Sequence, residues 1–160
     1  MSWIRKWKND RKRYKWSHIT EACQDIASQI DDQHKPSCIV GLARGGLIPA
    51  TLLANMLNIR EVYSMGLASY DDANKPGEIS FYQRMSLNDV NIDRDAKILL
   101  VDDISDRGHT FEAAKQTLIE MVGCDIRTAA LYTKPLTNHI PTYFHKQLSE
   151  NRWAVFPWEK

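Results

Sequence analysis

The sequence predicts an α/β domain with a mostly parallel, twisted sheet flanked by helices. Three observations carry that expectation. Short apolar runs alternate with segments of helical periodicity. One run, Ile98-Leu99-Leu100-Val101, is apolar throughout, as a central parallel strand covered on both faces requires. Two of the runs feed directly into polar, glycine-containing turns that open helices.

The elements follow in order. Ser17 is a suitable helix cap, and Ile19, Ala22, Cys23, Ile26, Ala27 and Ile30 repeat at helical spacing until Lys35-Pro36. Cys38-Ile39-Val40 reads as a short buried strand ended by Gly41-Leu42-Ala43-Arg44-Gly45-Gly46. A helix with Pro49 in its first turn then places Ile48, Leu52, Leu53 and Met56 on one face. Residues 62–67 form a second strand, and the polar stretch Ser69 to Glu78 reads as a mobile loop. Ile79 to Leu87 is extended. After the 98–101 strand, Phe111, Ala114 and Leu118 mark the inner face of a helix, and Ile126 to Tyr132 is another strand. From Lys134 onward the chain is aromatic and punctuated by prolines, without clear helical signals.

Length and charge narrow the function classes. The chain has 160 residues, 43% of them hydrophobic, enough for one buried core and too few for two. No apolar run approaches the ~20 residues of a membrane helix. The first residues lack the continuous apolar segment of a secretory signal. Cys23, Cys38 and Cys124 are odd in number and lack metal-type spacing; buried thiols in a reducing, cytoplasmic compartment are expected. Residues 1–16 carry seven Lys/Arg against Asp10 alone, leaving 14 basic and 19 acidic residues beyond them. This basic arm, with Trp3, Trp7, Tyr14 and Trp16, admits a nucleic-acid contact. The favoured reading is a solvated arm whose aromatics pack on the domain, and nucleic acid is not an expected partner. Every recognisable site element lies beyond residue 40, so removing residues 1–12 is expected to leave the chemistry intact.

The two strand-to-helix junctions carry the chemistry. In Asp106-Arg107-Gly108-His109-Thr110, successive backbone N–H groups converge on the positive end of a helix, a cradle for phosphate. Just upstream, Asp102 and Asp103 repel phosphate, so they face sugar hydroxyls or a divalent cation; the competing reading is a helix-capping acidic cluster or a metal pair of the kind found in response-regulator receiver domains. At the other junction, Arg44 offers a guanidinium and Gly45-Gly46 let backbone N–H groups approach the same anion. Together these describe a ribose 5-phosphate carrying a second phosphate group. No Walker A and no G-x-G-x-x-G pattern is present, and the five histidines lack metal-ligand spacing.

LLVDDISDRGHT at 99–110 resembles the 5-phosphoribosyl 1-diphosphate (PRPP) signature of type I phosphoribosyltransferases, and LARGGLIPA resembles that family's pyrophosphate loop. SYDD resembles the start of its flexible loop, and Tyr132-Thr133-Lys134-Pro135 with WAVFPWE is most similar to the bacterial-type xanthine–guanine and hypoxanthine enzymes. The resemblance spans roughly residues 17–160. It implies a PRPP-binding core over 17–135, a small hood over 136–160, and transfer of 5-phosphoribosyl to N9 of a 6-oxopurine in purine salvage. It further implies catalytic roles for Asp102, Asp103 and Asp106. Asp102 and Asp103 would bind ribose hydroxyls and Mg²⁺, directly or through water. Asp106, Arg107, Gly108, His109 and Thr110 would wrap the 5-phosphate, and Ala43, Arg44 and Gly45 would meet the pyrophosphate. Ser69 and Tyr70 would belong to the flexible loop. Lys134 would read the 6-oxo group, Trp153 and Ala154 would contact the base, and Glu159 would lie near its 2-position. The family usually has Thr at the place of Arg107 and Gly or Lys at that of His109. A homo-oligomer is expected. The alternative is a PRPP- or nucleotide-sensing RNA-binding regulator on the same fold.

Overall fold

The computed structural model describes residues 10–72, 75–85, 92, 95–122 and 125–159. Trp3, Trp7 and the first three basic residues of the arm, as well as Cys124, lie outside them. In chain order the elements are β1 (Arg11–Arg13), α1 (Trp16–Gln29), β2 (Cys38–Ala43), α2 (Leu47–Leu57), β3 (Glu61–Asp72) and β4 (Lys75–Gln83). There follow β5 (Lys97–Ser105), α3 (His109–Val122), β6 (Asp125–Thr133), β7 (Tyr143–Gln147) and β8 (Trp153–Val155).

The main sheet has strand order β4-β3-β2-β5-β6-β7, parallel except for the antiparallel β3–β4 pair. The expected α/β class and parallel sheet are thus borne out. Two cores cover its faces, and the strands divide their side chains between them with period two. Ile39, Leu99, Val101 and Leu131 meet Ile19, Cys23 and Ile26 of α1 and Leu53 of α2. Val40, Leu42, Ile98 and Leu100 meet Phe111, Ala114 and Leu118 of α3. The order reverses between β2 and β5, so the crevice for a ligand opens at their carboxyl ends. Both chemical junctions sit at that point.

Several sequence expectations change. The cap of α1 is Lys15, not Ser17: the chain leaves β1 in an extended conformation at Lys15, and His18 Nδ1 accepts the Lys15 backbone N–H at 2.9 Å. The stretch from Ser69 to Glu78, expected as a mobile loop, pairs as a hairpin, with Ser69 opposite Ile79 and Tyr70 opposite Glu78. Its polar residues misled because a hairpin at a sheet edge need not bury both faces. The strand at 98–101 continues through Asp102 and Asp103 to Ser105, because β6 keeps pairing alongside it as far as Thr133. The C-terminal region, without signals of its own, supplies β7 against β6 and β8 against β1.

The β1–β8 ribbon joins the two ends of the chain. Trp153 N donates to Asp10 O at 2.8 Å and Tyr14 N to Val155 O at 2.9 Å. Tyr14 is buried, its ring 4.6 Å from that of Tyr132 and 5.9 Å from that of Phe156. The expectation that arm aromatics pack on the domain holds for Tyr14. Residues 11–13 also pair with the strand that carries Trp153 and Ala154. No helix among the described residues is long and apolar enough to cross a membrane.

Candidate functional site

The first junction is a tight turn between β2 and α2. Gly46 N donates to Leu42 O at 2.8 Å and Leu47 N to Arg44 O at 3.2 Å. The Ala43–Arg44 peptide bond is cis. A Cβ on Gly46 would run into the carbonyl oxygens of Val101 and Leu42, so only glycine lets this turn lie against the end of β5. A Cβ on Gly45 would occupy the place of the Asp103 carboxylate. The two motifs that the sequence separates by more than fifty residues are therefore in van der Waals contact. Arg44 is exposed and makes no ion pair among the described residues, leaving its guanidinium available to an anion.

The second junction runs from β5 into α3. Gly108 has φ +85, a left-handed conformation that L side chains resist, and a Cβ there would strike the backbone N of His139. α3 opens with Glu112 N donating to Gly108 O at 3.1 Å, so the N–H groups before Glu112 lack intrahelical acceptors and face the crevice end of the helix. His109 Nδ1 lies 3.5 Å from Glu112 Oε2 on the same turn, a contact that holds the imidazole at the helix start. Arg107 is exposed. Thr110 and Asp106 are half-buried beside it.

Asp102 and Asp103 sit where β5 meets the crevice, with Asp103 N donating to Asp102 Oδ1 at 2.9 Å. Burial, followed by the charge of Asp103, holds the Asp102 carboxyl well above the usual carboxylate range. Burial, followed by the charge of Glu159, pushes Asp103 up to about 6. Acids crowded this way are relieved by hydroxyl donors or by a cation. Among the described residues no group of three or more His, Cys, Asp or Glu side chains forms a metal cage. Two carboxylates beside an anion-binding loop do fit Mg²⁺, which keeps several waters and takes its remaining oxygens from substrate phosphates.

Two cavities share Asp106, and one of them reaches Asp103. One, of about 320 Å³, lies along the phosphate turn between Arg107, His109, Leu136 and Glu150. The other, of about 140 Å³, is walled by Asp103, Asp106, Lys134, Trp153, Ala154 and Glu159. The residues expected to contact a base are thus brought together. Trp153 is 44% exposed and forms part of the wall of this second cavity.

Lys134 and Glu159 are less free than the sequence implied. Lys134 is 4% exposed, and its Nζ donates to Ser149 O at 3.1 Å, Glu150 O at 2.8 Å and Arg152 O at 2.5 Å. Burial lowers its pKa, while the carboxylates of Asp106 and Glu150 oppose that shift. An ammonium with three donors and three carbonyl acceptors reads a further oxygen only by exchanging one of them. Glu159 Oε2 accepts the Phe156 backbone N–H at 2.8 Å, closing the final turn.

Sequence reasoning missed the residues that brace these walls. Ser105 Oγ donates to His139 O at 2.7 Å and lies 2.9 Å from Thr137 Oγ1, while Asn138 N donates to Arg107 O at 2.9 Å. The segment after Lys134 thereby fixes the 106–110 turn from behind. Arg152 also lines the base cavity, and its Nε bonds both oxygens of Asp10 at 3.2 Å. No motif marked it, since its partner is 142 residues away. Ser69 and Tyr70 lie in β3 near the hairpin tip; their side chains lie outside the described ones.

Comparison with known proteins agrees with this geometry. The xanthine-guanine phosphoribosyltransferase of Idiomarina loihiensis is 26% identical over 155 residues, covering 96% of this chain and 90% of that one. That of Desulfotalea psychrophila is 27% identical over 145 residues, covering 90% and 83%. The crystal structure of a purine phosphoribosyltransferase from Pyrococcus horikoshii superposes with a TM-score of 0.81 at 29% identity, covering 94% of this chain and 95% of that one. The family model described as phosphoribosyl transferase domain matches residues 14–159, and the chain belongs to that family.

Proposed function

We propose that this protein is a purine phosphoribosyltransferase that moves the 5-phosphoribosyl group of PRPP to N9 of a 6-oxopurine and releases pyrophosphate. The observation that carries the reading is the convergence at one sheet crevice of four features. An anion-binding turn with Arg44, a crowded acid pair, a helix N-terminus and an aromatic-walled cavity all meet there, with Asp103 touching both Gly45 and the cavity. The similarity to purine-type relatives supports the same substrate class.

The chain's own groups account for the reaction. N–H groups of the 106–110 turn and the start of α3 hold the 5-phosphate, with Arg107 adding charge-assisted hydrogen bonds. Asp102 and Asp103 accept hydrogen bonds from the ribose hydroxyls and so fix C1 relative to the base. Arg44 and the N–H of Gly45 bind the pyrophosphate, whose bond to C1 breaks as positive charge develops on the ribose. Trp153 stacks on the purine, and Lys134 donates to the 6-oxo oxygen in place of one hood carbonyl. Asp106, on the wall shared by both cavities, accepts the N7 proton of the base as N9 bonds to C1. Asp102 and Asp103 would hold Mg²⁺, directly or through water, and the ion would supply neutralisation of the leaving pyrophosphate.

An assay of nucleotide formation from PRPP with guanine, xanthine, hypoxanthine, adenine and uracil tests the reading. Turnover confined to the three 6-oxopurines supports it; turnover of none of the five contradicts it.

A further inference from the structure

Tyr82 stands apart from every motif, yet its position requires two coincident irregularities. Gly66 pairs with Gln83 and Leu67 with Phe81, so a β-bulge leaves Tyr82 without a partner across the hairpin. Bulges turn a side chain in a direction that regular alternation forbids. Here the phenol ring lies directly over Gly66, where any Cβ would collide with Cε2. Beyond Gly66 lies Ala43, its register partner in β2. Tyr82 Oη reaches across and donates to Ala43 O at 3.1 Å. The side chain therefore crosses β3 from β4 to β2, and glycine at 66 is what leaves the path open.

Ala43 is the last residue of β2, and its carbonyl belongs to the peptide that leads into Arg44 and Gly45. Fixing that carbonyl fixes the plane of the peptide and the direction in which the anion-binding turn leaves the sheet. Nothing in folding demands the contact: Tyr82 is 59% exposed, while its neighbours Ile79 and Phe81 supply the hairpin's inward packing. Gln83 Nε2, donating to Ser64 Oγ at 2.8 Å, ties the same arm to β3.

We infer that Tyr82 is a positioning residue for pyrophosphate, a strap that couples the β3–β4 hairpin to the Ala43–Gly45 turn. The inference rests on the proposed function and names a residue of that site that does not touch substrate. It acts on the pyrophosphate end of PRPP and leaves the 5-phosphate end alone, because the 106–110 turn is braced separately by Ser105, Thr137 and Asn138.

The experiment compares wild type, Tyr82→Phe, Gly66→Ala and the double variant. Calorimetric titrations use inorganic pyrophosphate with magnesium and, separately, inorganic phosphate; KM for PRPP and for guanine and thermal midpoints are also measured. Tyr82→Phe keeps the ring and deletes the donor. It is expected to weaken pyrophosphate binding and raise KM for PRPP roughly three- to tenfold, the range one hydrogen bond supports. Phosphate affinity, KM for guanine and the thermal midpoint stay near wild type. Gly66→Ala displaces the ring and produces the same loss, and the double variant is no worse than either single one. Unchanged pyrophosphate affinity in Tyr82→Phe, or equal losses for both anions, overturns the inference, as does a wild type that fails to bind pyrophosphate. A wild type that binds pyrophosphate but makes no nucleotide refutes the proposed reaction, while the pyrophosphate titrations still decide the role of Tyr82.

Discussion

The carboxylate of Asp103 fills the space that a side chain at residue 45 would need: a Cβ on Gly45 would lie 2.5 Å from Asp103 Cγ and 3.0 Å from Oδ1. One glycine thus joins the turn after β2 to the acid pair on β5, and under the proposed function pyrophosphate and ribose recognition would share that contact.

Gly45→Ala tests that contact. The added methyl must push the Asp103 carboxylate away from its ribose-facing position or lift the turn from the sheet. Losing a charge-assisted hydrogen bond of about 1.5–3 kcal/mol predicts a fall in kcat/KM for PRPP of roughly ten- to a hundredfold. Circular dichroism should report an unchanged fold. Near-wild-type kinetics would show that Asp103 does not face the ribose.

The acid pair costs stability at neutral pH. Asp103 binds its proton more tightly in the folded chain, near pH 6, than at its ordinary value of 3.8. Between those values the folded state holds more protons than the unfolded state, so stability falls as pH rises through this window and levels off above it. Asp103→Asn removes the penalty. Its thermal midpoint should exceed that of wild type by a few degrees at pH 7, about the shift that 1–2 kcal/mol gives a domain of this size. The difference should vanish below pH 4. The same variant should lose PRPP turnover. A midpoint lowered at pH 7 would mean that the carboxylate stabilises the fold.

Lys134 ties down three backbone carbonyls, and under the proposed function it also reads the base. Lys134→Ala leaves three hood carbonyls without their donor, and a loss of roughly 3 kcal/mol is expected, at the low end for three acceptors. KM for guanine should rise and discrimination against adenine should shrink. A variant that kept wild-type base preference would reject the 6-oxo assignment, whatever its stability.

The chain ends offer a fourth test. Removing residues 1–9 takes away no site residue and should change kinetics less than twofold. Removing residues 1–13 deletes β1, the Asp10–Arg152 contact and the acceptor of Trp153 N. KM for the base should then rise more than KM for PRPP, because β8 carries Trp153 and Ala154. Equal kinetics in both truncations would show that β8 holds its place alone.

Legibility in the sequence followed the range of the interactions. The strand at 98–101 and the turns at 44–46 and 106–110 are set by local rules: continuous apolar character, glycine freedom and a helix start. These residues identified the α/β class, and the family resemblance extended them to a site. The Ser69–Glu78 hairpin was hidden because its residues are individually turn-like, and strand pairing at a sheet edge comes from register rather than hydrophobic burial. β7 and β8 are short and bordered by prolines, and their partners lie elsewhere in the chain. Arg152, whose partner is Asp10, and Ser105, whose partners are Thr137 and His139, needed tertiary contacts that no local pattern encodes.

PRPP-dependent nucleotide formation by wild type and Asp102→Asn, followed with guanine and adenine and with pyrophosphate release recorded in the same reaction, decides whether the acid pair serves purine phosphoribosyl transfer. Stoichiometric GMP and pyrophosphate are expected from wild type, with negligible product from adenine and turnover reduced at least tenfold in the folded variant. A wild type that forms no nucleotide, or an Asp102→Asn enzyme as active as wild type, would contradict that role.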